Sequence, residues 1–132
     1  MNPRYFLLGL ASAVTTFLLA GAVTIEILST WYGEGPGVGI LGVAVGVVVA
    51  LLVGTVVTFT GDRLSGLRAA VLVAYGAFGV AFLAIAGMSY VNVPGVDEVF
   101  TFPVHLAASL VVAILAAVLA SRGRGPPRGT SV

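Results

Sequence analysis

Not one charged residue interrupts the chain between Val38 and Thr60. Three further stretches are nearly as apolar, from about Tyr5 to Thr30, from about Arg68 to Val91 and from about Val104 to Ala120. A bilayer core about 30 Å thick takes about 20 consecutive apolar residues as a helix. Inside lipid every backbone amide must be bonded within the protein, and a helix does this alone. A transmembrane barrel would alternate apolar and polar residues along each strand. Runs such as Val47-Val48-Val49 are apolar on every side instead. The expected fold is therefore all-α, an integral membrane bundle of four transmembrane helices with antiparallel neighbours. The single domain covers residues 1–120, with helices at about 5–30, 38–60, 68–91 and 104–120.

Turn-forming clusters separate the four stretches. They are Gly33-Glu34-Gly35-Pro36-Gly37, Gly61-Asp62-Arg63 and Asn92-Val93-Pro94-Gly95. Ser121-Arg122-Gly123 and Pro126-Pro127 end the last. Such clusters do not continue a helix. The first stretch begins like a signal peptide, with Arg4, an apolar run and Ala20-Gly21-Ala22. Its apolar run continues to Leu28, which favours a spanning helix.

Composition removes whole classes of function. Hydrophobic residues make up 59% and charged residues 8%. A soluble domain carries about 25% charge, so neither a soluble enzyme nor a disordered chain fits. The net charge of +1 is too small to suggest a nucleic-acid partner. The absence of cysteine removes disulfides, thiolate nucleophiles, iron–sulfur clusters and cysteine-type zinc sites. The single His cannot supply a two-His metal or haem site within one copy. No cofactor or metal is expected.

All basic residues are arginine: Arg4, Arg63, Arg68, Arg122, Arg124 and Arg128. Four antiparallel spans put all six on one side. Glu34, Asp97 and Glu98 fall on the other. The positive-inside rule then predicts cytoplasmic N- and C-termini, in the cell membrane. Trp31, Tyr32 and Tyr90 are placed in the outer aromatic belt, and Tyr5 in the inner one. The Arg/Gly/Pro-rich tail, 121–132, reads as a flexible cytoplasmic end able to touch anionic headgroups. Arginine without lysine, amid abundant Ala, Val and Gly, resembles the uncharacterised small four-helix membrane proteins of halophilic archaea.

Small residues mark one face of each helix. The second stretch carries Gly42, Gly46, Ala50 and Gly54 at four-residue spacing, with Gly39 before them. This small-xxx-small pattern lets backbones approach closely in lipid. The third carries Ala70, Ala74, Ala77, Ala81 and Ala84, a seam of heptad type. Ser12, Thr16, Ala20 and Thr24 share a line on the first, and His105, Ser109, Ala113 and Ala117 share one on the fourth. These faces serve either packing within one bundle or an oligomer interface. If packing within the bundle is their role, Gly46→Leu disrupts the fold itself.

Polar residues at depth are the candidate sites. Glu26 lies about 5–8 Å inward of Trp31 at 1.5 Å per residue, and an acid at membrane depth is a functional hypothesis by default. It can serve as a protonatable site, or reach headgroup water, or accept hydrogen bonds from Ser29, Thr30 or His105. His105 opens the fourth helix at similar depth, and a Glu–His pair is a residue combination suited to a pH switch, so the two form a candidate pair. The hydroxyl of Tyr75 needs a partner in lipid, whereas Thr55 and Thr58 can bond to their own helix carbonyls.

The loop Gly61-Asp62-Arg63-Leu64-Ser65-Gly66-Leu67-Arg68 is similar to the loop between helices two and three of major facilitator transporters. The likeness is confined to this loop, its spacing departs by one residue, and that family has about twelve helices. Elementary chemistry gives the loop other roles. Asp62 can cap the next helix, Gly66 can turn the chain, and Arg63 and Arg68 can hold lipid phosphates. In the outer loop, Asn92 to Pro103, the apolar Val99, Phe100 and Phe102 suit a segment at the membrane surface, a partner contact or a lid.

Three function classes remain. A structural or accessory subunit, partnered by the bilayer and by a homo-oligomer or larger membrane complex, fits the scarcity of polar residues at depth. A small oligomeric transporter or channel would use Glu26, and its size and single acid in the first helix resemble the small multidrug resistance family. An intramembrane enzyme would have to draw on Ser12, Ser109, Glu26 and His105. The chain lacks Gly-x-Ser-x-Gly and His-Glu-x-x-His, so no catalytic residues are expected.

Overall fold

The computed structural model describes residues 2–123, the side chain of Asp97 excepted. Four long helices are present, each long and apolar enough to cross a membrane. They are α1 (Pro3–Tyr32), α2 (Pro36–Thr60), α3 (Gly66–Tyr90) and α5 (Phe102–Arg122), with the one-turn α4 (Val96–Val99) between α3 and α5. No strand occurs among the described residues. The all-α architecture expected from the apolar runs is the one observed.

Each long helix starts slightly earlier than the apolar run suggests. Pro3, Pro36 and Pro103 fall in the first turns of α1, α2 and α5. A proline there loses no hydrogen bond and already has helical φ, so it opens the helix and does not end the preceding loop. Asn2 caps α1, its Oδ1 accepting from Arg4 N–H at 3.0 Å. At α3 the entry is Gly66, with φ +58°, the turn expected of it. Asp62 does not cap α3. It sits in a 3-10 turn, Gly61–Arg63, and the position before the helix is Ser65. The last helix runs on through Arg122. Residues 121 and 122, expected in the tail, are therefore helical, and the rest of that tail, 124–132, lies outside the described residues.

The helices pair as two hairpins joined by one seam. Along its length α1 packs on α2, α3 packs on α5, and the hairpins meet where α1 lies against α3. In space the order is α2, α1, α3, α5, with α1 and α3 in the middle.

Burial follows the logic of a membrane solvent. The buried positions of α1 are Gly9, Ser12, Thr15, Thr16 and Gly21, and those of α5 are Ser109 and Ala113. Large apolar side chains such as Leu51, Leu52, Leu110 and Leu119 point outward. Lipid tails solvate leucine well, so burying it brings little gain, and interiors are built for close approach instead.

The glycine stripe of α2 faces α1. A Cβ on Gly46 would stand 3.0 Å from Phe17 O, and one on Gly54 would stand 3.0 Å from the Ala13 Cβ. At Gly42 a Cβ would run into the Ile25 side chain, and at Gly9 it would lie 2.7 Å from Gly54 O. Gly39 is outside this contact, with open space where its Cβ would be. On α3 the deepest positions are Ala69, Gly76, Gly79 and Ile85, and Ala84 is exposed. The alanine seam read from the sequence therefore lies beside the true line of closest approach. Glycine is required there because a Cβ on Gly76 would come 3.0 Å from the Ala11 Cβ, and one on Gly79 would come 2.6 Å from Thr15 Cα.

Candidate functional site

The densest polar cluster at membrane depth lies in the α1–α3 seam. Thr15 Oγ1 donates to Tyr75 O at 2.6 Å, crossing from one helix to the other. Thr16 Oγ1 and the Tyr75 hydroxyl are 2.8 Å apart, and Thr16 also bonds Ser12 O at 2.8 Å. The partner that Tyr75 needs in lipid is thus a threonine of α1. Close approach makes this possible, because Gly76 and Gly79 let Thr15 reach the α3 backbone. Sequence reading overlooked Thr15, Gly76 and Gly79. The available signal was two adjacent hydroxyls on α1 and a Gly-x-x-Gly step on α3.

Ser12 belongs to the same seam and is fully buried, at 0% exposure. Its Oγ has no hydrogen-bond partner among the described residues. A buried hydroxyl left unbonded costs about 1–3 kcal/mol. Ser12→Ala is accordingly expected to leave the fold intact and raise stability by about 1 kcal/mol, read as a higher midpoint in thermal unfolding in detergent. A lowered midpoint would mean that the hydroxyl has a partner after all.

The candidate pair Glu26 and His105 is not brought together. Glu26 is exposed near the C-terminal end of α1. Ser29 and Thr30 do bond to it, but through its main-chain carbonyl, at 3.0 and 2.9 Å, and not through its carboxylate. His105 faces α3. Its Nε2 is 2.9 Å from Phe82 O, and its ring stacks on the Phe82 ring with centroids 4.1 Å apart. Ser109, one turn on, is fully buried, and its Oγ donates to the His105 carbonyl at 2.9 Å. It therefore addresses the backbone and not the imidazole, so these two residues are not arranged as nucleophile and base.

The remaining candidates are peripheral. Thr55 and Thr58 bond Leu51 O and Gly54 O on their own helix, at 2.7 and 2.8 Å. Arg63 and Arg68 are exposed at the end of the bundle where the chain starts. Between α3 and α5 Val96 is buried and Val99 exposed, and Phe102, which opens α5, is exposed. Trp31, Tyr32 and Tyr90 are all strongly exposed, at the end of the bundle away from Arg63 and Arg68. Among the described residues no three His, Asp or Glu side chains gather as a metal site.

Neither a curated protein nor a solved structure matches the chain. A family profile does, and it spans the whole membrane domain from Asn2 to the last turn of α5. The chain belongs to the family defined by a domain of unknown function, DUF8147, which matches residues 2–120.

Proposed function

We propose that this small membrane protein is a non-catalytic structural or accessory component of a membrane assembly, inserted in the cell membrane with both termini cytoplasmic. The observation that carries this reading is the fate of the polar groups at depth. Thr15, Thr16, Tyr75 and His105 bond across to a neighbouring helix, and Ser109 bonds a carbonyl of its own helix. The four that cross between helices hold helices together, which is a packing role. The orientation rests on Arg4, Arg63, Arg68 and Arg122, the arginines among the described residues, which share one end of the bundle, and the cell membrane on the four spans. The composition, arginine without lysine amid abundant Ala, Val and Gly, suits a halophilic archaeal source.

The competing reading is a transporter that protonates Glu26, and one experiment separates the two. The purified protein is placed in vesicles and tested for proton flux, alongside Glu26→Gln. Trp31 fluorescence is followed in parallel from about pH 4 to about pH 9, which spans ordinary carboxylate and imidazole titrations. The accessory reading expects flux no greater than in empty vesicles. It also expects the chain, extracted gently from its native membrane, to migrate above its 13.3 kDa monomer mass. Flux that disappears in Glu26→Gln, with a fluorescence transition lost in the same variant, would overturn it.

A further inference from the structure

The geometry points to a binding site for one anionic phospholipid in the groove where α1, α3 and α5 meet at the arginine-bearing end. The groove has a volume of about 600 Å³. Its apolar wall comes from Leu8 and Ala11 of α1, Ala77 and Val80 of α3, and Ala120 of α5, with Arg4 at its mouth. From Arg4 to Ala11 the helix rises about 10 Å at 1.5 Å per residue. The groove thus reaches from headgroup level well into the hydrocarbon.

Its origin is in the packing. Close contact of α5 with α3 is made around Ser109 and Ala113, the two buried positions of α5. Toward the Arg4 end α5 offers the groove only Ala120 and Gly123, so the space facing Leu8 of α1 and Val73 of α3 is left open. Lipid is the medium outside, and an acyl chain is what an apolar groove open to it accepts.

Charge selects the headgroup. Arg4 is exposed at the mouth, and Gly123, which also lines the groove, directly follows Arg122. Basic pockets between helices on the cytoplasmic side bind anionic headgroups. A second apolar groove, between α1 and α2, provides the contrast. Phe6, Leu10 and Leu51 line it, and the adjoining mouth holds Asn2, Tyr5 and Asp62. No arginine is among its lining residues, and its mouth carries an acid. The two grooves offer an acyl chain similar walls, so their mouths decide which one holds an anion. This site does not depend on the accessory role proposed above.

The test uses the full chain in detergent with an equal mixture of phosphatidylglycerol and phosphatidylcholine of the same acyl length. Lipid retained on the protein is counted by native mass spectrometry. Phosphatidylglycerol should be retained in preference. Arg4→Gln should reduce its retention about five-fold without lowering thermal stability, because Arg4 is exposed. Ala120→Leu should reduce retention of both lipids by filling the groove, and Asp62→Asn at the other mouth should change neither. Equal retention of the two lipids overturns the proposal. So does a preference that survives Arg4→Gln, or one that Arg68→Gln removes as fully as Arg4→Gln does.

Discussion

Gly79→Leu is expected to lower stability by about 3 kcal/mol or more and to separate α1 from α3. Two effects oppose each other at this position. In an exposed helix, replacing glycine gains up to about 1 kcal/mol of helix propensity. Here even a Cβ would stand 2.6 Å from Thr15 Cα. That atom is backbone and cannot rotate aside, so the helices must move apart. Overpacking of this kind costs about 1–3 kcal/mol. The separation also breaks the bond from Thr15 to Tyr75 O and the contact of Thr16 with the Tyr75 hydroxyl, each worth about 0.6–1.7 kcal/mol in a membrane. Packing wins over propensity. The control is Gly87→Leu on the same helix, where the Cβ meets open space and the midpoint should stay level or rise. Equal thermal midpoints for the two variants would contradict the described seam.

Gly46→Leu is expected to damage the other interface by about 2–3 kcal/mol. A Cβ there stands 3.0 Å from Phe17 O and 3.1 Å from Phe17 Cδ2. The ring can swing away, but the carbonyl is fixed in α1, so the branched end of leucine pushes the two helices apart. The expected readout is loss of folded monomer in detergent. Gly39→Leu, in open space on the same helix, should leave it unchanged. A Gly46→Leu protein with a normal midpoint and an altered oligomer size would show that the stripe joins copies and not helices of one chain.

The four spans were legible because lipid imposes one requirement on every residue of a crossing helix, and uncharged runs meet it plainly. The stripe Gly42–Gly54 was legible as a contact face for the same kind of reason, since four-residue spacing aligns small residues on one side. Its partner was not. Nothing in α2 names Phe17, Ala13 and Gly9 of α1 as the surface it meets. The alanine line of α3 misled because that helix has neighbours on two sides, and the closer of them demands Gly76 and Gly79 where alanine is already too large. Glu26 and His105 show the same limit. Depth along a helix follows from residue count, so their similar level was readable. Which way each faces depends on the order of helices in space, and His105 is turned to Phe82 of α3.

The seam between the hairpins also has a consequence in time. During synthesis α1 and α2 exist before α3 does, so Thr15 and Thr16 must wait in the bilayer without Tyr75. Both have a provisional acceptor on their own helix, Ala11 O at 3.3 Å for Thr15 and Ser12 O at 2.8 Å for Thr16. A threonine satisfied by the preceding turn can remain in lipid at little cost, then extend the same hydroxyl to a late-arriving helix. Neither hydroxyl is left without an acceptor while α1 waits for α3. The order of manufacture is accommodated by side chains that are content alone and better bonded in company.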